Sequence, residues 1–221
     1  MARVASERMQ VRRHPERGVY SPQVIEAILD EAYICHVGFI AEGQPMVLPT
    51  VHAREGRTIY LHGAAANAMF SACAGHDICL TVTILDGLVL ARSVYDHSMN
   101  YRSVVVVGRA EEVSDPEEKR RALRVLVDRV VEGRAEDARE PNENEVRATR
   151  VLRLGLDEAS AKVRSGPPSD SETDLHLPVW AGVIPLRLAP DAPVPAPDLP
   201  ADIPLPDYLA PERLLRRQAR D

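Results

Sequence analysis

The chain changes its hydrophobic period several times, and each change marks an element. SPQVIEAILDEA, from Ser21 to Ala32, opens with Ser21 as N-cap and Pro22 at the first helical position and reads as a short helix. ICHVGFIAEGQPMVLPTVHAREGRTIYLHG then holds three strand-like runs separated by Glu42-Gly43 and Glu55-Gly56. Branching at Cβ suits Val, Ile and Thr to a pleated backbone, so this stretch predicts a meander of antiparallel strands. AAANAMFSACAG returns to a helical period and stops at Gly75. HDICLTVTILDGLVLARSVY predicts two more strands joined at Asp86-Gly87, a strong hairpin signal, and NYRSVVVVGRAEEV the next and longest.

DPEEKRRALRVLVDRVVEG has Asp115 as cap, Pro116 at the first position and Leu123, Leu126, Val127 and Val130 on one stripe, so it reads as an amphipathic helix. Asn142 to Thr149 offers a further short helix, ATRVLRLGLDEASAKV a further strand and WAGVIPLRL the last. Beyond Leu188, APDAPVPAPDLPADIPLPDY is a proline-rich extended tail, and PERLLRRQARD closes it as a single exposed helix. The expected organisation is an extension over 1–20, a domain over 21–188 and a tail over 189–221. Roughly six to seven short strands with tight connections and an inserted helix predict a mainly β domain: an antiparallel barrel with flanking helices. A sandwich is the alternative, and the early connections are too short for parallel crossovers.

A length of 221 residues can bury an ordinary core without staples. The net charge of −6, with acidic and basic residues interleaved, argues against broad contact with nucleic acid or an anionic membrane. MARVASERMQVRRHPERG has no apolar stretch after its charges, and Arg12 and Arg13 lack the segment an export signal needs, so a cytoplasmic location is expected. Cys35, Cys73 and Cys79 cannot all pair within one chain. Cys73, His76 and Cys79 form C-x-x-H-x-x-C, but no fourth donor stands near in sequence, so no metal site is assigned.

The chain carries no G-x-S-x-G elbow, Walker-type loop or G-x-G-x-x-G. Its polar cluster RSVYDHSMNYRS runs directly into four valines, which fits either a solvated turn or a ligand site held by a sheet. Alternation places Leu48, Thr50 and His52 on one face, Tyr60 with His62, and Arg102 with Val104 and Val106. A threonine, histidines and an arginine at strand ends suit a phosphorylated planar ligand, because arginine grips phosphate bidentately while apolar strand residues face a ring. Lys119 and Lys162 are the only lysines; Lys119 sits on a solvated helix face, whereas Lys162 stands beside Arg164 and a Gly-Pro-Pro bend and is the better candidate for an anion.

YLHGA, RSVYDHSMNYRSVVVVGRA, SAKVRSGPP and WAGVIPL, in that order, resemble the FMN-binding split-barrel superfamily, in its pyridoxamine 5'-phosphate oxidase-like branch with nitroimidazole-reductase-like relatives. The likeness covers about Ser21 to Leu188. It implies a split antiparallel β-barrel and a homodimer with FMN at the subunit interface. Pro49, Thr50 and Val51 would line the isoalloxazine edge; Leu61, His62 and Gly63 would lie beside the ribityl chain or substrate; Asn67 would meet the phosphate at a helix start. Ser98, Asn100 and Arg102 would approach the phosphate, and Lys162 and Trp180 would reach the pocket late in the chain. His62 is the candidate for substrate polarisation or proton transfer and Lys162 for an anionic group, with an unidentified small molecule as substrate and NADH or NADPH as possible donor.

Two departures bear on this. The helix after YLHG begins with bare alanines around Asn67, which throws phosphate binding onto Arg102, Arg92 or helix-end amides, and WAGVIPLR offers only Arg187 where pyridoxamine phosphate oxidases read substrate. Vitamin B6 chemistry is therefore not assigned. The competing classes are a protein that holds flavin, deazaflavin or haem without turnover, and an empty barrel that uses its proline-rich tail as bait for a partner.

Overall fold

The structure is a computed structural model describing residues 6–210 and 213–214. The helix expected over 211–221 falls largely outside them. In chain order the elements are β1 (Gly18–Val19), α1 (Pro22–Glu31), β2 (Ile34–Ala41), β3 (Gln44–Val51), β4 (Ala53–Glu55), β5 (Thr58–Ala64), α2 (Ala68–Cys73), β6 (Asp77–Leu90), β7 (Ser98–Arg109), β8 (Glu111–Glu112), α3 (Pro116–Val130), α4 (Arg134–Asp137), α5 (Glu143–Ala148), β9 (Thr149–Gly155), β10 (Ala159–Arg164) and β11 (Gly182–Pro185).

The strands pair antiparallel in two sheets. The larger runs β1-β10-β7-β6-β2-β3 with β11 added on β6, and the smaller runs β4-β5-β9-β8. Their facing sides, with α1 and α2, enclose the main core, in which Ile28, Leu29, Val37, Leu80, Val104 and Leu152 are buried. This is the expected antiparallel barrel, split into two sheets. The change of sheet occurs at one residue, His52, which separates β3 from β4. Its ring is buried, and Nε2 donates to the Leu29 carbonyl at 3.0 Å, pinning the crossing to α1. His52 is thus a structural residue.

Local chemistry explains the elements. Glu42 and Gly43, with φ of 49° and 76°, both take the left-handed conformation that a tight β2–β3 turn demands. Asp115 caps α3 by accepting from the Glu117 and Glu118 amides, and Asn142 with Glu145 forms a capping box on α5. A second, smaller core lies between β5, β9 and α3, where Tyr60, Ala122, Leu126 and Val151 are buried.

One expected hairpin does not form. Asp86 and Gly87 lie inside β6, a single strand of 14 residues that shifts register between Leu85 and Gly87. The glycine serves a close approach: a Cβ there would stand 3.0 Å from Val183 Cγ1 and 3.1 Å from the Ile184 carbonyl of β11. The signal that reads as a turn is a bulge under a crossing strand.

The proline-rich tail ends against the helical insert. The Tyr208 hydroxyl donates to Asp137 Oδ2 at 2.6 Å and accepts from Arg134 at 3.0 Å, and its ring packs beside Gly133. Among the described residues no helix is long and apolar enough to cross a membrane.

Candidate functional site

Strand alternation assigns each candidate to a face. In the larger sheet Cys35, Val37, Leu80, Val82, Val104 and Ala161 point into the core. Their neighbours point outward: His36 stands opposite Pro49 and Thr81, Thr83 opposite Ser103, and Ser103 opposite Lys162. Ile34, Ile40, Val47 and Val51 share this outer face, and Ile40 and Val47 are 62% and 64% exposed. An apolar sheet face studded with hydroxyls, one imidazole and one ammonium is built to be covered. Among the described residues Lys162 has no ion-pair partner; Asp157 and Glu158, the carboxylates close to it in sequence, are held by Arg57 and Arg8.

Arg102 has the opposite parity. It lies at the end of the inner face, opposite Val163 and Ile84, and its guanidinium is fully engaged. Nε and Nη2 donate to Asp86 at 2.9 and 2.7 Å, and Nη2 and Nη1 donate to Glu31, the former at 2.7 Å. The hydrogen bonds it donates to Asp86, and then those to Glu31, raise its pKa still further. The cluster of one cation and two carboxylates is net negative, so Arg102 as found is not the open phosphate clamp that its position in the sequence suggests. It borders a cavity of about 680 Å³ together with Tyr33, His36, Pro49 and Arg187.

A second cavity, about 420 Å³, opens between β5 and the helical insert. Val51 and His62 form one wall, the α3 stripe of Leu123, Leu126, Val127 and Val130 the other, and Arg124, Arg139 and Glu140 reach its rim. The His62 Nδ1 is buried with no hydrogen-bond partner among the described residues. Burial lowers its pKa, which keeps the ring neutral. Pro49 and Arg102 therefore border one cavity and Val51 and His62 another, on either side of the end of β3.

The other candidates have structural roles. Leu61 is buried in the main core and cannot face a ribityl chain. Gly63 is required because a Cβ would stand 2.6 Å from the Phe70 ring. Asn67 caps α2, its Oδ1 accepting from the Met69 amide at 2.9 Å, so its carbonyl is spent. Asn100 is buried, donating to the Gly166 carbonyl at 3.1 Å and accepting from Arg164, which ties β7 to the loop after β10. Ser98 and Thr50 are half-buried, and Trp180 is 65% exposed with its ring over Gly182. Arg92 pairs with Asp170 at 2.7 Å. Cys35 and Cys73 are buried, and desolvation pushes their thiols up to about 12 and about 11. Among the described residues no group of three or more His, Cys, Asp or Glu could hold a metal ion.

His36, Glu31 and Asp86 line the cavity beside Arg102, and sequence reasoning did not single them out. His36 could have been found: it alternates with Ile34 and Gly38 against buried Cys35 and Val37. Glu31 and Asp86 meet only through the packing of α1 against the end of β6, which no local pattern encodes.

The family model for pyridoxamine 5'-phosphate oxidase matches residues 21–163. The chain belongs to the pyridoxamine 5'-phosphate oxidase family. Its fold is the split barrel of that flavin-binding superfamily. It is 44% identical to the flavocytochrome Anf3 from Azotobacter vinelandii, with a TM-score of 0.89 over 93% of this chain and 96% of that one. It is 33% identical to the FAD and heme binding protein from Mycobacterium smegmatis, with a TM-score of 0.84 over 87% of this chain and 95% of that one. A 5-nitroimidazole antibiotic resistance protein from Bacteroides thetaiotaomicron is 28% identical, with a TM-score of 0.55 over 66% of this chain and 86% of that one. No curated protein matches the chain.

Proposed function

We propose that the chain is a flavin-dependent oxidoreductase that works as a homodimer on a small molecule. The observation that carries this reading is the outer face of the larger sheet, where Ile34, His36, Val47, Pro49 and Val51 stand exposed and which carries Lys162 three strands further on. The apolar side chains suit the flat ring of a flavin and the seam of a second copy, and the unpaired ammonium suits an anionic group of ligand or substrate. A bound flavin supplies two-electron chemistry, taking hydride from a donor such as NADH or NADPH and delivering it to an acceptor. The protein's part is to orient both and to exclude water. FMN is the flavin implied by the sequence motifs; the Mycobacterium smegmatis relative is described as binding FAD.

A second group enters through a specific observation. Two relatives that match most of both chains, at 44% and 33% identity, are described as a flavocytochrome and as an FAD and heme binding protein, and this chain has a second, largely apolar cavity walled by a histidine. Haem beside flavin is therefore part of the reading, with the outer face assigned to flavin. Such a protein would move electrons between a two-electron and a one-electron centre.

Purified protein tests both parts. Yellow protein whose extracted chromophore has the mass of FMN or FAD, bleached by NADH or NADPH and recovered by an added acceptor, supports the oxidoreductase. Protein that holds flavin but is not turned over is a binding protein. A colourless protein that takes up neither FMN nor FAD at micromolar concentration overturns the proposal.

A further inference from the structure

The cavity between β5 and the α3–α5 insert has three properties that together narrow its ligand. Its far wall is the apolar stripe of α3, Leu123, Leu126, Val127 and Val130, closed by Ala135 and Ala138, so a large non-polar body fits. Its near wall carries one imidazole, that of His62, whose Nδ1 is buried and unpartnered. No charged group on its own strand or on the facing apolar stripe of α3 competes for that ring; the charged groups of the cavity, Arg124, Arg139, Glu140 and Glu145, belong to its lining on the insert side. Nδ1 is closed off by protein, so Nε2, which is not buried, is the nitrogen that the ring offers to a ligand in this cavity.

We infer that this cavity holds haem, with His62 as the protein's ligand to the iron and Arg124 and Arg139 at the propionate end. The inference rests on the flavin-and-haem reading above and adds the place and the ligand. A neutral imidazole is the form that binds iron, and the apolar walls shield the porphyrin from water. Arg124 now pairs with Glu136 and Glu140, and Arg139 with Glu145, on the surface of the insert. Exposed pairs of this kind are weak and exchange partners readily, so carboxylates of an incoming ligand can take them over. The placement also orders the two cofactors. Pro49 borders the cavity next to Arg102 and Val51 borders the haem cavity. The two residues are two positions apart on β3, with Thr50 between them, a spacing of about 7 Å.

Haemin titrated into the full-length protein, followed by its Soret band, tests the inference. The expected result is saturation at one haemin per chain, with a histidine-ligated spectrum in the oxidised and dithionite-reduced states. His62→Ala should lose that spectrum and bind haemin at least tenfold more weakly, and imidazole added to the solution should restore it. Leu126→Trp, which fills the cavity without touching the histidine, should block haemin while circular dichroism shows a folded chain. A His62→Ala protein with the wild-type spectrum and affinity, or loss of the spectrum in His36→Ala instead, overturns the assignment and leaves the flavin-and-haem reading standing. Wild-type protein that binds no haemin but retains flavin sinks the haem site and the haem half of that reading together.

Discussion

Arg102 and Lys162 project from opposite faces of the larger sheet, although they lie on paired strands with Lys162 in register with the next residue, Ser103. A flat ligand on one face cannot be gripped by both. The two cations therefore have separable roles, and replacing each gives a different result. Arg102→Ala leaves Glu31 and Asp86 half-buried and close together without their cation, and should destabilise the ligand-free protein by about 1–3 kcal/mol in chemical denaturation. Lys162→Met should leave stability within roughly 0.5 kcal/mol, as a surface substitution does, and weaken flavin binding about tenfold in a fluorescence titration. Unchanged stability in Arg102→Ala would show that the cluster is not held as described.

Much of the fold was legible because it rests on local signals. The turn at Glu42-Gly43, the Asp115 cap, the short helix from Asn142 and the α3 stripe each sit in sequence where they sit in the structure. The failures share one cause. Asp86-Gly87 carries the chemistry of a turn, but the long-range arrival of β11 decides that it is a bulge. Arg102 carries the chemistry of a phosphate clamp, but Glu31, distant in sequence, occupies it. Leu61, Gly63, Asn67 and Asn100 sit in a motif that signals a site, yet they hold its scaffold. Motif resemblance locates the neighbourhood, and tertiary packing decides which side chain is spent on it.

Gly63 tests that division directly. Phe70 is buried at the start of the main core, and its ring lies where a Cβ on Gly63 would go. Gly63→Ala should cost about 1–3 kcal/mol through overpacking, a fall in Tm of roughly 2–10 °C. Gly63→Ala combined with Phe70→Leu should recover part of that loss. A Tm unchanged in the single variant would indicate that the ring moves aside freely and that the glycine serves the ligand instead.

His52 should make stability depend on pH. The Leu29 carbonyl can only accept, so Nε2 carries the hydrogen and the ring is neutral in the fold. Burial is the main cause that lowers its pKa from 6.5 to about 4, with nearby Arg129 adding to the effect against the Leu29 hydrogen bond. A folded pKa below the unfolded value means that protons favour the unfolded chain. The contribution of His52 is complete above pH 6.5 and declines as pH falls towards 4, by roughly 3 kcal/mol over that window. Urea denaturation at several pH values should show this loss, and His52→Gln, which keeps a donor for Leu29, should show a flatter profile. Parallel profiles for the two proteins would remove His52 as the cause.

The outer face makes the last prediction. Every residue of β3 is exposed or half-exposed, on both sides, although Met46, Val47, Leu48 and Val51 are apolar. An apolar edge strand left bare invites edge pairing and aggregation, so a partner copy is the economical cover. Val47 lies opposite Gly38, where no side chain competes for the surface, and Ile40 stands nearby on the same side. Burying one such valine contributes about 1.5–3 kcal/mol, and a charge in its place would have to be buried unpaired, which costs several more. Val47→Glu should convert a sedimenting dimer into a monomer at micromolar concentration, with little change in monomer stability because the side chain is outside the core. Trp180, the only tryptophan and exposed in the single chain, should report the same event by a red shift if the partner covers it. Flavin seated on the seam would be released at the protein concentration where the dimer dissociates; flavin retained by a monomeric Val47→Glu protein would place it within one subunit, and a wild-type monomer at 100-fold higher concentration would remove the seam altogether.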